Sequence, residues 1–147
     1  MVRAFSLTSD SLGYFLGYAL VHARSVAVVS PWMSDVELRL PLTNRTDKRR
    51  LLLSEAIEIL NGTQVQIIVR SGEQHNRYLR NQLPDRTEFI ELSDLHAKAI
   101  VTPEFVYLGS ANITRGGLEI NRELCEIIEN EYDAVDAYLR EELNLDI

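Results

Sequence analysis

The sequence predicts an α/β fold, a mainly parallel mixed β-sheet with helices on both faces, in one domain over residues 1–147. Three observations carry that expectation. Short β-branched runs bounded by turn residues recur along the chain. Helical periodicities fall between them. The length of 147 residues, with 46% hydrophobic and 25% charged side chains, suits a single packed core.

The opening helix has capping oxygens in Thr8, Ser9 and Asp10, and Leu12 to Ala23 is apolar almost all round, which places it against more than one neighbour. Gly13 and Gly17 leave room for a close approach. Ser25 to Ser30 is a buried strand ended by Pro31, with Trp32 at its mouth. After a polar stretch holding Pro41, Thr43 and Asn44, the segment Arg50 to Leu60 has apolar residues at 52, 53, 56, 57 and 60. It reads as an amphipathic helix stopped by Asn61-Gly62. Gln64 to Val69 is a second strand, Glu73 to Gln82 a short helix before Pro84, and Thr87 to Leu92 a third strand. Leu95 to Val101 and Phe105 to Asn112 are strands around a tight turn, followed by a strand from Glu123 to Ile128. A last helix, Glu131 to Leu143, sets Tyr132, Val135, Leu139 and Leu143 on one stripe.

Acidic residues outnumber basic ones by 22 to 15, so the mean field repels phosphate backbones and local basic clusters must attract any nucleic acid. Arg45, Lys48, Arg49 and Arg50 form one cluster, for which a solvated face is the plainer explanation. Arg115 and Arg122 form another. Cys125 is alone, excludes an intrachain disulfide and reads as a reduced, buried thiol. The apolar segment from Leu12 is too short to span a bilayer, and no secretory or lipidation motif stands out. The expectation is a cytoplasmic protein with no membrane attachment.

Chemistry concentrates in Leu95-His96-Ala97-Lys98 and in Gly109-Ser110-Ala111-Asn112. Alternate residues of a strand share a face, which groups His96 with Lys98 and Ser110 with Asn112. In an antiparallel hairpin the two faces coincide when paired residue numbers sum to an even value, as with 96 opposite 110. The turn then holds an odd number of residues, or a bulge corrects the register. One face would carry an imidazole, an ammonium, a hydroxyl and a carboxamide, with Gly109 leaving space for a ligand. That set suits a phosphate. Lys98 supplies positive charge, Ser110 and Asn112 donate hydrogen bonds, and neutral His96 is a nucleophile for phosphorus. Taken singly, the His reads as a core side chain and the Lys as a solvated one; their shared parity with Ser110 and Asn112 favours chemistry. No His/Asp/Glu cluster has metal-ligand spacing, so no metal or other cofactor is expected.

His96-x-Lys98 followed by Gly109-Ser110-x-Asn112, with Glu123 eleven residues further on, resembles the H-x-K signature of the phospholipase D superfamily across residues 92 to 128. The resemblance implies a phospholipase D-like domain and a metal-independent phosphodiesterase working through a phosphohistidine on His96. Lys98, Ser110 and Asn112 would hold the phosphate. Glu123 would accept a hydrogen bond from the second ring nitrogen of His96, and Arg115 would reach a flanking phosphate. Members work with two such motifs, and this chain has one, since no Lys stands two residues beyond His22 or His75. His22 reads as a helix-end residue and His75 as a surface one. A homodimer is therefore implied, with one His96 neutral and attacking and the other protonated beside the leaving oxygen. Pro103 stands where the family usually has Asp, with Glu104 beside it, a departure that bears on the turn more than on the chemistry.

Three functions follow as expectations. A nuclease cutting DNA or RNA is favoured by the single motif, the absence of membrane features and the Arg clusters. Gly-Ser-Ala-Asn-Ile-Thr-Arg-Gly-Gly-Leu also looks like the motif context of members attached to DNA restriction, defence or repair systems, which implies a larger complex of that kind. A lipid phosphodiesterase or headgroup transferase is disfavoured by the acidic charge and the lack of an interfacial helix. A catalytically silent dimer that binds nucleic acid or protein is motivated by Pro103. Trp32 lies where open α/β sheets bind ligands, and rim packing is preferred for it over stacking on a base or headgroup.

Overall fold

The computed structural model describes residues 3–8, 10–114 and 122–147, with side chains at 11–114 and 125–147. Seven strands form one sheet in the order β1-β9-β8-β7-β2-β5-β6. They are β1 (Arg3–Thr8), β2 (Ser25–Val29), β5 (Gln64–Arg70), β6 (Glu88–Leu92), β7 (Ala99–Val101), β8 (Phe105–Gly109) and β9 (Arg122–Glu129). A separate ribbon pairs β3 (Glu37–Arg39) with β4 (Arg50–Leu52). The helices are α1 (Asp10–His22), α2 (Leu53–Ile59), α3 (Gln74–Gln82) and α4 (Val135–Glu141).

The β-branched run of β2 is buried along nearly its whole length, as befits a central strand covered on both faces. Alternation then assigns its residues to two cores. Val26 and Val28 join Ile67, Ile100 and Tyr107 beneath α1, α2 and α3, while Ala27 and Val29 join Ile68, Val101 and Val106 beneath α4. Helices on both faces are thus a direct consequence of two apolar sheet faces that must both leave water.

The sheet is mixed, as expected, and its parallel character needs restating. β2, β5 and β6 pair in parallel. The other four pairings, β2–β7, β7–β8, β8–β9 and β9–β1, are antiparallel. Five strands point one way and β7 and β9 point the other, so "mainly parallel" holds for strand direction and not for hydrogen-bonded pairs.

Several boundaries differ from the sequence expectation for physical reasons. The sequence alone assigns no element ahead of the helix cap at Thr8, yet β1 pairs with β9 along six residues. Arg50 to Leu52 leaves the expected helix to pair with β3, burying Leu51 against Leu38. The helix begins after it, where the Glu55 carboxylate accepts the Leu52 N–H at 3.0 Å and Asp35 accepts the Ser54 N–H at 2.8 Å. Residues 131–134 form a turn before α4. The Asn130 side chain accepts the Tyr132 N–H at 3.0 Å and donates to Ala134 O at 3.1 Å, which replaces a first helical turn and leaves Tyr132 off the stripe.

α1 exposes Tyr14, Tyr18 and His22 along one i, i+4 line and buries nearly everything else among its described side chains. Gly17 explains how. A Cβ at this position would lie 2.1 Å from Arg39 O, so α1 meets the backbone of β3 and not another helix. Gly17→Ala is expected to force the two apart and cost roughly 1–3 kcal/mol, read as a lower urea midpoint with unchanged slope.

Burial, reinforced by Glu142, raises the Tyr138 phenol above the ordinary tyrosine value, so the folded state keeps a proton that the unfolded chain gives up. That stabilisation is whole below a pH of about 10 and is lost as pH rises further. Tyr138→Phe is expected to make the alkaline fall in melting temperature shallower than in the parent protein.

Candidate active site

Strand directions bring the chemistry-bearing segments to one edge of the sheet. β2, β5, β6 and β8 all end there, and β7 and β9 begin there. The register fixes the edge: Ala99, first in β7, pairs with Val29, last in β2, and also with Leu108 near the end of β8. His96 and Lys98 lead into β7, Ser110 and Asn112 follow β8, and Ser30-Pro31-Trp32 follows β2. Glu123 occupies the same end of β9, opposite Leu7. Its side chain, and Arg115 entirely, lie outside the described residues.

The expected even-sum pairing is not what forms. Pairs in the hairpin sum to an odd value, with Ala99 opposite Leu108 and Val101 opposite Val106. The cause is the turn. Thr102 and Phe105 close a two-residue Pro103-Glu104 loop through Thr102 N–H to Phe105 O at 2.9 Å and Phe105 N–H to Thr102 Oγ1 at 2.9 Å. Asn130 braces the loop by donating to Thr102 O at 2.9 Å. Regular pairing stops at Ala99 and Gly109, so the four motif side chains stand beyond the paired strands, where alternation no longer dictates their faces.

The structure nonetheless sets the two halves of the motif side by side, because Gly109 N–H donates to Lys98 O at 3.3 Å. Lys98 is half-buried, and its ammonium reaches back to His96 O at 3.4 Å. His96 is exposed and lines a cleft of about 530 Å³ whose walls include Asp94, Ala97, Asn144 and Asp146. Two other clefts, of about 380 and 660 Å³, open at the opposite end of the sheet around Arg24, Pro103 and Asp133, and no sequence-predicted site residue lines either.

Ser30 is the residue that sequence reasoning missed. It is fully buried, and its hydroxyl accepts Ile113 N–H at 3.1 Å, donates to Trp32 O at 2.6 Å and lies 3.2 Å from Asn112 Oδ1. One hydroxyl proton faces two acceptors, Trp32 O and Asn112 Oδ1, and is shared between them. Asn112 is thus positioned by Ser30 while its amide nitrogen makes no hydrogen bond among the described residues. A polar residue ending an otherwise apolar buried strand was the available signal.

Asn76 fastens the same edge from the α3 side. It is buried, accepts Met33 N–H at 2.8 Å, and donates to Pro31 O at 2.8 Å and Arg70 O at 3.3 Å. His75 beside it is exposed, as expected, and shares a 2.7 Å hydrogen bond with Ser34. The Arg45–Arg50 cluster is exposed and lies elsewhere. Arg45 caps the end of α1 through Val21 O, and Arg50 pairs with Glu37 at 3.3 Å. Cys125 is buried, as expected.

With this geometry in view, the chain falls in the class of phospholipase D-like phosphodiesterase folds. It belongs to the family described as Cardiolipin synthase, PLD-like domain, whose sequence profile matches residues 34–145. NucT from Helicobacter pylori superimposes with a TM-score of 0.63 at 19% identity, covering 98% of this chain and 96% of that one. Nuc from Salmonella typhimurium, a phospholipase D family member, gives 0.65 at 16% identity, covering 98% and 92%. TrmBL2, an archaeal chromatin protein, gives 0.52 at 15% identity over 97% of this chain and 50% of its own. No curated protein sequence matches the chain.

Asn76→Leu would leave Met33 N–H, Pro31 O and Arg70 O without partners. It is expected to cost on the order of 3 kcal/mol, measured by urea denaturation.

Proposed function

We propose that the chain is a nuclease that hydrolyses DNA or RNA phosphodiester bonds without a metal, at a site completed by a second copy of itself. The observation that carries the proposal is the meeting of the His96-x-Lys98 and Gly109-Ser110-x-Asn112 segments at the sheet edge where the parallel strands end. In open α/β sheets that edge is where ligands bind. Lys98 supplies the positive charge and Asn112 the amide donor that a phosphate needs. His96, open to solvent in its cleft, is accessible to attack phosphorus. TrmBL2, which shares the fold, is described as binding DNA, in keeping with a nucleic-acid substrate.

An imidazole nitrogen of one His96 forms a P–N bond as the P–O bond to the leaving group breaks, and the partner subunit's His96 gives that oxygen its proton. Water then attacks the phosphohistidine, the P–N bond breaks, and the partner's His96 takes the water's proton. Glu123 orients the attacking ring through its second nitrogen. Lys98, Ser110, Asn112 and Arg115 stabilise the charge on the nonbridging oxygens. The two identical imidazoles must hold opposite protonation states, so the rate rises and then falls with pH.

Wild type and His96→Ala are to be incubated with labelled single- and double-stranded DNA, RNA and phosphatidylcholine, all with chelator present. Cleavage of nucleic acid is expected, reduced roughly a thousandfold or more in the variant, with an acid-labile phosphoprotein trapped in wild type. Choline release would instead assign a lipid substrate, and binding without turnover a silent module. Turnover seen only in a parallel incubation without chelator, or a monomer by sedimentation at working concentration, would sink the mechanism.

A further inference from the structure

Trp32 does not pack into the rim as its sequence context suggested. The residue is 48% exposed, while the backbone carrying the ring is fastened on both sides. Ser30 Oγ holds Trp32 O, Asn76 holds Pro31 O and Met33 N–H, Arg70 N–H donates to Pro31 O at 3.2 Å, and Met33 bridges Ile113. A large flat apolar surface is thus presented to solvent on an immobilised stem, which removes most of the ordering cost a ligand would otherwise meet. The Arg70 guanidinium carbon lies 6.0 Å from the ring centroid. Arg70 Nε is buried without a hydrogen-bond partner, and no acidic side chain among the described residues pairs with this arginine. A cation and an aromatic face therefore stand together, uncompensated, in a protein of net charge −7.

Their position relative to the chemistry is defined. Arg70 is the strand partner of Leu92, a wall of the cleft that holds His96. On the other side, one hydroxyl, Ser30 Oγ, lies within hydrogen-bond distance of both Trp32 O and Asn112 Oδ1. The platform and the phosphate-binding amide consequently share a support.

We propose that Trp32 stacks on an unpaired base next to the scissile phosphate, with Arg70 meeting the adjoining phosphate, so that the site takes single-stranded nucleic acid in preference to duplex. This rests on the nucleic-acid function proposed above and adds its strand preference. A base held in a duplex has both faces occupied by its neighbours and cannot lie on the indole, whereas a single strand offers a face at each nucleotide. Duplex lacks this contact and gains nothing from the ring. A phosphate beside the stacked base would give Arg70 the counter-charge it lacks.

Trp32 is the chain's single tryptophan, so intrinsic fluorescence reports this position alone. The test uses the full chain in a His96→Ala background, titrated with a single-stranded oligonucleotide, an abasic strand of equal length and charge, the same sequence as duplex, and anionic phospholipid vesicles. The base-bearing single strand is expected to quench the emission and to bind roughly tenfold tighter than the abasic one. Trp32→Ala should erase that tenfold difference and Trp32→Phe should retain part of it, with Arg70→Ala weakening both strands. Equal affinity for base-bearing and abasic strands, tighter binding of duplex, or a blue shift with vesicles alone would each overturn the stacking role. If wild type cleaves no nucleic acid, the nuclease proposal fails by itself, and the fluorescence titration still decides whether Trp32 stacks.

Discussion

The antiparallel pairing of β7 with β2 is the constraint on which the arrangement depends. A purely parallel continuation would place the start of β7 at the far end of the sheet, away from the carboxyl ends of β2, β5 and β6. Because β7 runs the other way, Ala99 meets Val29, and the His96-x-Lys98 segment emerges where those three strands finish. β8 then returns to the same edge and delivers Gly109, Ser110 and Asn112 beside it. Two reversals of direction gather onto one rim what a simple alternation of strand and helix would scatter.

The rim is stiffened by polar groups placed in otherwise apolar surroundings. Ser30 and Asn76 are both buried, and between them they satisfy carbonyls and amides that the strands leave unpaired as they end. A buried polar group with all its bonds made costs little, and one with a bond missing costs much. Such residues therefore hold a single geometry. Trp32 and Asn112 inherit that rigidity, though neither is itself deeply buried.

Much of the fold was legible. The β-branched runs of β2 and β5, the stop at Asn61-Gly62 and the helix before Pro84 all appear close to their expected bounds. What escaped depended on long-range pairing. β1, where Phe5 and Leu7 alternate with Ser6 and Thr8, was not assigned from the sequence, and the edge of β9 is what pairs it. Arg50-Leu51-Leu52 carries a helical pattern, and pairing with β3 overrides it. The candidate residues His96, Lys98, Ser110 and Asn112 were nameable from their spacing, and the fold brings the segments that carry them to one edge of the sheet. Ser30 and Asn76 were not, since a serine or asparagine in a sequence gives no sign of which distant carbonyl it will meet. The hairpin register was misjudged because it follows from the number of residues in the turn, which sequence parity alone does not determine.

The two-residue loop at Pro103-Glu104 has a consequence for how this protein can change over evolutionary time. Tyr107 faces the core under α1 while Val106 and Leu108 face the core under α4, and this alternation is anchored by the loop's length. Adding or deleting one residue there would rotate β8 by half a turn and exchange its two faces, driving Tyr107 into the wrong core. Length variation among descendants of this chain should therefore occur in steps of two at that corner, or be accompanied by a compensating bulge further along β8.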